Sequence, residues 1–248
     1  MTPGSATAPR RRVLLTRSEE DNAEWAEKLA RRGATPIALP CIRCEPLDTP
    51  ALRTELAAAA ADADWLAFTS RRGVDAFASL HAKPLPRAHV AVVGAATADA
   101  ARARLGRVDL VGRGGTAAGL GATLASDGDL ANRPRVLLAL AENAGDALER
   151  ALSAAGARCT RFDVYRTVPA LAAATKRTIS ALGADNVIFA SPTAVEGFMR
   201  QVTVDAPIGV YTIGPSTSAA ARAAGLDVTA EAREPSLEGV LESMQWQR

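Results

Sequence analysis

Hydroxyl side chains stand where apolar runs of this sequence give way to helix-forming ones. Thr16 follows Val13–Leu15, Thr69 and Ser70 follow Leu66–Phe68, and Thr97 follows Val90–Val93. Ser191 and Thr193 follow Val187–Phe189, and Ser216 and Thr217 follow Val210–Ile213. The chemistry open to such groups is anion recognition. A Ser or Thr at a helix start caps it, while the free N–H groups beside it, at the positive end of the helix dipole, favour negative charge. One terminus contributes about 0.3–1 kcal/mol to holding an exposed charge, so a single turn is a weak site. Several turns acting on one ligand can hold a polyanion. Ordinary capping also accounts for any one of them taken alone.

Turns of this kind need rigid elements behind them. The apolar runs are short and continuous, as strands buried on both faces are. Ser18 with Asp21 resembles a capping box, and Ser191-Pro192 places a cap before a proline at the first helical position. The helices that follow are predicted to end at Gly33, Gly106, Gly156 and Gly225 as left-handed caps. Leu148, Leu152 and Ala155 fall on one helix face. Strand, turn and helix in this rhythm predict an α/β fold with a parallel, doubly wound sheet in each half. In such sheets ligands bind beyond the carboxyl ends of the strands, where the hydroxyl turns lie.

The halves echo each other. Residues 12–46 align with 135–169 at a constant separation of 123, matching Arg12 with Arg135, Gly33 with Gly156 and Pro46 with Pro169. Residues 64–77 align with 185–198 at 121, matching Phe68 with Phe189, Ser70 with Ser191 and Phe77 with Phe198. "VAVVGAATADAARARLG" and "VYTIGPSTSAAARAAGL" align at 120, as do 113–124 and 233–244. Four blocks in one order describe an internal duplication of a unit of about 120 residues. From the repeats alone the chain could be cut as a tandem pair near residue 133.

Composition narrows the partners. The chain has 248 residues, 48% hydrophobic and 23% charged, with a formal net charge of +2. That balance points to neither a nucleic acid nor an anionic membrane as partner, and no run approaches the ~18 apolar residues of a span. Cys41 and Cys44 form a lone C-x-x-C in an extended stretch, with no second pair to complete a zinc site, and read as structural cysteines. Residues 1–9 read as a flexible tail, not a signal peptide, and the whole fits a reducing cytoplasm. His81 and His89 form no metal or nucleophile pattern, and there is no phosphate-binding loop or G-x-S-x-G elbow. Gly112, Gly114 and Ala117 spell a formal G-x-G-x-x-A, but no acidic residue follows at a strand end as a dinucleotide site needs. No metal or cofactor is expected.

Seven linked motifs across residues 12–244 resemble the uroporphyrinogen-III synthase family. They are "VLLTR" at 13–17, "FTS" at 68–70, "VVGAAT" at 92–97, "VYRTVP" at 164–169, "FASPTAV" at 189–195, "IGPSTSAAA" at 213–221 and "EPSLEGVLE" at 234–242. The resemblance implies two flavodoxin-like domains joined by two extended connectors, "CIRCEP" and "VYRTVP", with the active site in the cleft between them. One domain would be residues 10–43 plus 168–248, discontinuous in the chain, and the other 46–165.

The reaction it implies is ring closure of hydroxymethylbilane, a linear tetrapyrrole with carboxylate arms, with loss of water and inversion of the last ring through a spiro intermediate. Tyr165 matches the family tyrosine proposed to help the hydroxyl depart. The resemblance also makes Thr16, Arg17, Thr69, Ser70, Thr97, Ser191, Thr193, Ser216 and Thr217 substrate-binding candidates. Leu140 and Gly209 stand where members often carry Arg or Lys, which shifts carboxylate binding toward backbone N–H groups. A monomer that receives its substrate from the preceding deaminase is expected. The alternative is a non-catalytic, tetrapyrrole-binding homologue.

Overall fold

The apolar runs form strands because both of their faces are covered. The computed structural model describes residues 11–81, 87–128, 130, 132–171 and 174–245; the tail expected over 1–9 lies outside them. In chain order the strands are β1 (Arg12–Leu15), β2 (Thr35–Ala38), β3 (Ile42–Pro46), β4 (Trp65–Phe68), β5 (His89–Val92), β6 (Leu110–Val111) and β7 (Arg135–Ala141). They continue as β8 (Arg158–Pro169), β9 (Arg177–Thr178), β10 (Asn186–Phe189), β11 (Val202–Thr203), β12 (Gly209–Thr212) and β13 (Val228–Glu231). All four residues of β4 and of β10 are buried, as in the interior of a parallel sheet with helices on both sides.

The chain folds as two compact units. One runs to Arg43 and resumes at Val168; the other is Cys44–Thr167. The first holds a sheet in the order β13-β12-β10-β1-β2, and the second one in the order β3-β8-β7-β4-β5-β6. Strand β1 pairs in parallel with β2 and β10, as β4 does with β5 and β7. Numbered along the chain, the first sheet reads 2-1-3-4-5, the flavodoxin-like doubly wound order. The second has the same layout with its strands entering as 3-4-5-1-2, plus β3 at the edge beside β8. Neither unit is a tandem half. A cut near 133 would separate β7 from β4, with which it pairs over Val136–Leu138 against Trp65–Ala67.

Each sheet splits its side chains between two cores, because successive strand residues face opposite ways. In the second unit Leu66 and Phe68 join Val74 and Phe77 on one side, while Trp65 and Ala67 join Leu120, Leu124 and Leu138 on the other. In the first, Val187 and Phe189 join Phe198, and Ile188 joins Val13, Leu15 and Trp25. Phe68 meets Phe77 edge-on at 5.5 Å, and Phe189 meets Phe198 edge-on at 5.2 Å. Burial runs in the same sequence over 65–74 as over 186–195, and over 91–100 as over 211–220. The glycines predicted to end helices have φ of +81°, +78°, +94° and +80° at Gly33, Gly106, Gly156 and Gly225, which side chains with a Cβ rarely adopt.

Candidate active site

In the second unit the switch point lies between β7 and β4. Ser70, at the end of β4, caps the helix Arg71–Leu80 and accepts the Gly73 N–H at 3.0 Å. Its Oγ lies 3.0 Å from the hydroxyl of Tyr165, on β8 and 9% exposed. The register of β7 with β8 shifts between Leu140 and Ala141, so Leu140 faces Asp163 and Ala141 faces Tyr165. Such an irregularity re-aims the side chains beyond it. The Tyr165 carbonyl accepts the Glu142 N–H at 2.8 Å, tying the tyrosine to the loop that leaves β7. Thr69 is half-buried beside Ser70.

Arg161, which sequence reasoning missed, organises that same loop. Its guanidinium donates to the carbonyls of Ala144 at 3.0 Å, Ala141 at 3.1 Å and Glu142 at 3.3 Å, and pairs with Asp163 at 2.8 Å. An arginine within a strand carries no local signal for this; only the sheet brings the loop within its reach. Leu140 is buried in β7 beside this loop.

Thr97 follows β5 in the second unit. It is 4% exposed and lies in the first turn of the helix Ala95–Leu105, whose cap is Gly94 and whose outward residues there are Ala95 and Ala96.

The first unit repeats the arrangement around β1 and β10. Thr16 is fully buried, and its hydroxyl donates to the Ile188 carbonyl at 2.7 Å, tying β1 to β10. Arg17 pairs with Asp21 at 3.2 Å and lies 4.6 Å from the Trp25 ring centre, so its charge is turned onto its own helix. Ser191 is half-buried and caps the helix Pro192–Gln201 through the Ala194 N–H at 3.1 Å. Of the three hydroxyls after Gly214-Pro215, only Ser216 is exposed; Thr217 is 1% exposed and Ser218 fully buried. Ser218 donates to Glu231 at 2.5 Å and accepts from Thr212 at 2.6 Å.

Thr193 lines a groove of about 800 Å³ between the helices Pro192–Gln201 and Pro215–Ala223, together with Lys176, Met199 and Arg200. Ser191 and Ser216 are not in its lining, so it runs beside the strand-end turns. A Cβ on Gly209 would lie 2.6 Å from Asn186 Oδ1, so a side chain at that position requires Asn186 to shift. The formal G-x-G-x-x-A glycine at 112 serves packing, since a Cβ there would meet Leu120 Cα at 2.8 Å. Among the described residues no three His, Cys, Asp or Glu side chains gather as a metal site requires. No helix among them is long and apolar enough to cross a membrane.

The fold and the turns define a two-unit, doubly wound α/β protein whose helix N-termini are presented at strand ends, with a buried phenol held at one of them. The family model for uroporphyrinogen-III synthase HemD matches residues 23–242, and the chain belongs to that family. Its fold is similar to that of uroporphyrinogen-III synthetase from Helicobacter pylori, at 18% identity and a TM-score of 0.61, covering 96% of this chain and 100% of that one. It is also similar to a mutant uroporphyrinogen III synthase from the extremely thermophilic bacterium Thermus thermophilus, at 22% identity and a TM-score of 0.53, covering 95% and 97%. A search of curated proteins gives no match.

Proposed function

We propose that this chain performs the cyclisation of its family, with Tyr165 as the group that assists departure of the substrate hydroxyl. Uroporphyrinogen-III synthases are lyases of porphyrin biosynthesis. They close hydroxymethylbilane with loss of water and inversion of its last ring. The observation that supports the role is the Tyr165 hydroxyl, 3.0 Å from Ser70 at a strand end beside a helix N-terminus. A phenol there can give a proton to a departing hydroxide.

The carboxylate arms of the substrate are assigned to the helix N-termini of each unit, through backbone N–H groups and the accessible hydroxyls of Thr69, Ser191, Thr193 and Ser216. Thr16, Thr97 and Thr217 then support those turns from inside. A hundredfold preference for the inverted isomer corresponds to about 2.7 kcal/mol, within reach of positioning alone. The unit boundaries are proposed as domain boundaries and the repeated blocks as an internal duplication. A cytoplasmic monomer receiving substrate from the preceding deaminase is the working arrangement.

Product identity tests the reading. Hydroxymethylbilane generated in situ by a deaminase is mixed with this protein, oxidised, and the porphyrin isomers separated. Isomer III in excess is the expected result; isomer I alone at the unassisted rate would overturn it.

A further inference from the structure

The hydroxyl of Ser70 has one proton and two lone pairs. The Gly73 N–H, at 3.0 Å, occupies one lone pair, and the Tyr165 hydroxyl lies 3.0 Å away. A phenol that gives up its proton during the reaction is best served by a neighbour that donates to its oxygen. We propose that Ser70 is a positioning residue whose hydroxyl donates to Tyr165 Oη, directing the phenolic proton at the departing hydroxyl of the substrate. This rests on the cyclisation reading of Tyr165 above.

The step balances without a further reagent. The C–O bond of the hydroxymethyl group breaks and its electron pair goes to oxygen. The pyrrole nitrogen lone pair, relayed through the ring, makes the exocyclic C=C bond. The phenolic proton joins the departing hydroxide, which leaves as water, and the Ser70 O–H stabilises the phenolate left behind. The proton shed when the closed macrocycle regains its aromatic pyrrole returns to Tyr165.

Both partners are held by groups that have no need of the contact. Ser70 is pinned by its cap, and the helix turn beside it sits tightly against β7: a Cβ on Gly73 would lie 2.8 Å from the Ala139 carbonyl oxygen and 3.3 Å from Ser70 Oγ. Tyr165 is placed by the register shift and by the Glu142 N–H. The matching cap in the first unit shows that capping itself requires no phenol. Ser191 makes the same bond to Ala194, in the same burial pattern, while the position matching Tyr165 is Ile42.

The test is a double-variant cycle on the full chain, with kcat and KM for isomer III formation from deaminase-generated hydroxymethylbilane. The variants are Ser70→Gly, Ser70→Ala, Ser70→Thr, Tyr165→Phe, and Ser70→Gly combined with Tyr165→Phe. Glycine caps a helix nearly as well as serine does, so Ser70→Gly removes the hydroxyl and keeps the fold even where Ser70→Ala does not. The expected result is a kcat roughly tenfold lower for Ser70→Gly, one hydrogen bond's share, with KM within about twofold and recovery in Ser70→Thr. The combined variant should be no slower than Tyr165→Phe alone, since coupled residues are not additive. An equal loss from Ser70→Gly in both backgrounds, or a raised KM with kcat intact, would overturn the positioning role alone. A wild-type chain that yields only isomer I defeats the cyclisation reading and this role with it.

Discussion

Gly197 packs its α-carbon against the Cys41 carbonyl so closely that a Cβ would lie 1.8 Å from the oxygen and 2.8 Å from its carbon. The same carbonyl accepts the Ala170 N–H at 2.8 Å, and Gln201 donates to the neighbouring Pro40 carbonyl at 3.1 Å. The helix Pro192–Gln201 is thereby docked on the backbone where the chain is about to leave the first unit. Gly197→Ala must push that helix off this backbone, at about 3 kcal/mol, the upper end for overpacking. The thermal midpoint should fall by roughly 6–12 °C, at about 2–4 °C per kcal/mol. Gly145→Ala, with nothing within 4 Å of its Cβ position, should stay within about 0.5 kcal/mol of wild type. Equal midpoints for the two variants would refute the close packing.

Thr16 and Ser216 separate a hydroxyl that builds the sheet from one that faces solvent. Thr16→Val removes the donor to the Ile188 carbonyl, and a buried hydrogen-bonding group left short of its partner costs about 1–3 kcal/mol. A urea midpoint lowered accordingly is the expected outcome. Ser216→Ala, at an exposed helix start, should leave the midpoint unchanged and raise KM by about tenfold, the lower end for one hydrogen bond to a carboxylate. The reverse pattern would exchange the two roles.

Cys41 gives a pH signature. Burial pushes its thiol up from 9.0 to about 12. At pH 8 its thiolate fraction drops from about one in ten to about one in ten thousand. An aromatic disulfide reagent should therefore label Cys44, which is half-buried, long before Cys41. The unfolded thiol ionises above pH 9, whereas the folded one keeps its proton to about 12. Its stabilising contribution is thus whole below pH 9 and lost between pH 9 and 12, at about 1.4 kcal/mol per pH unit. Urea midpoints from pH 8.5 to 10.5 should decline more steeply in the wild type than in Cys41→Ala; parallel slopes would show that this thiol ionises as readily folded as unfolded.

Ser70 and Ser191 cap matching helices through bonds of 3.0 and 3.1 Å. Alanine at either should lower stability by about 1 kcal/mol, the usual loss of an N-cap, as read from urea midpoints. A loss at Ser70 much above that at Ser191 would mean that its bond to Tyr165 also holds the fold together.

Local sequence determined a good deal of this protein. Strand interiors such as Leu66–Phe68 and Val187–Phe189, the caps at Ser70 and Ser191, and the left-handed glycines at 33, 106, 156 and 225 follow from runs and turn chemistry that act over a few residues. The seven motifs carry the likeness to the uroporphyrinogen-III synthases without reference to the fold. The direction of a side chain at a strand end was another matter. Thr16, Thr97 and Thr217 read like Ser70, Ser191 and Ser216, yet they are buried, because the sheet and its neighbours decide which side of a turn meets the core. The entry of β4 to β6 ahead of β7 and β8 is equally beyond a local pattern, since strand order is set by which apolar faces pack together. Ser70 and Tyr165 stand 95 residues apart, and Arg161 meets Ala141 across 20. Those contacts exist only once parallel pairing has brought the strands carrying them side by side.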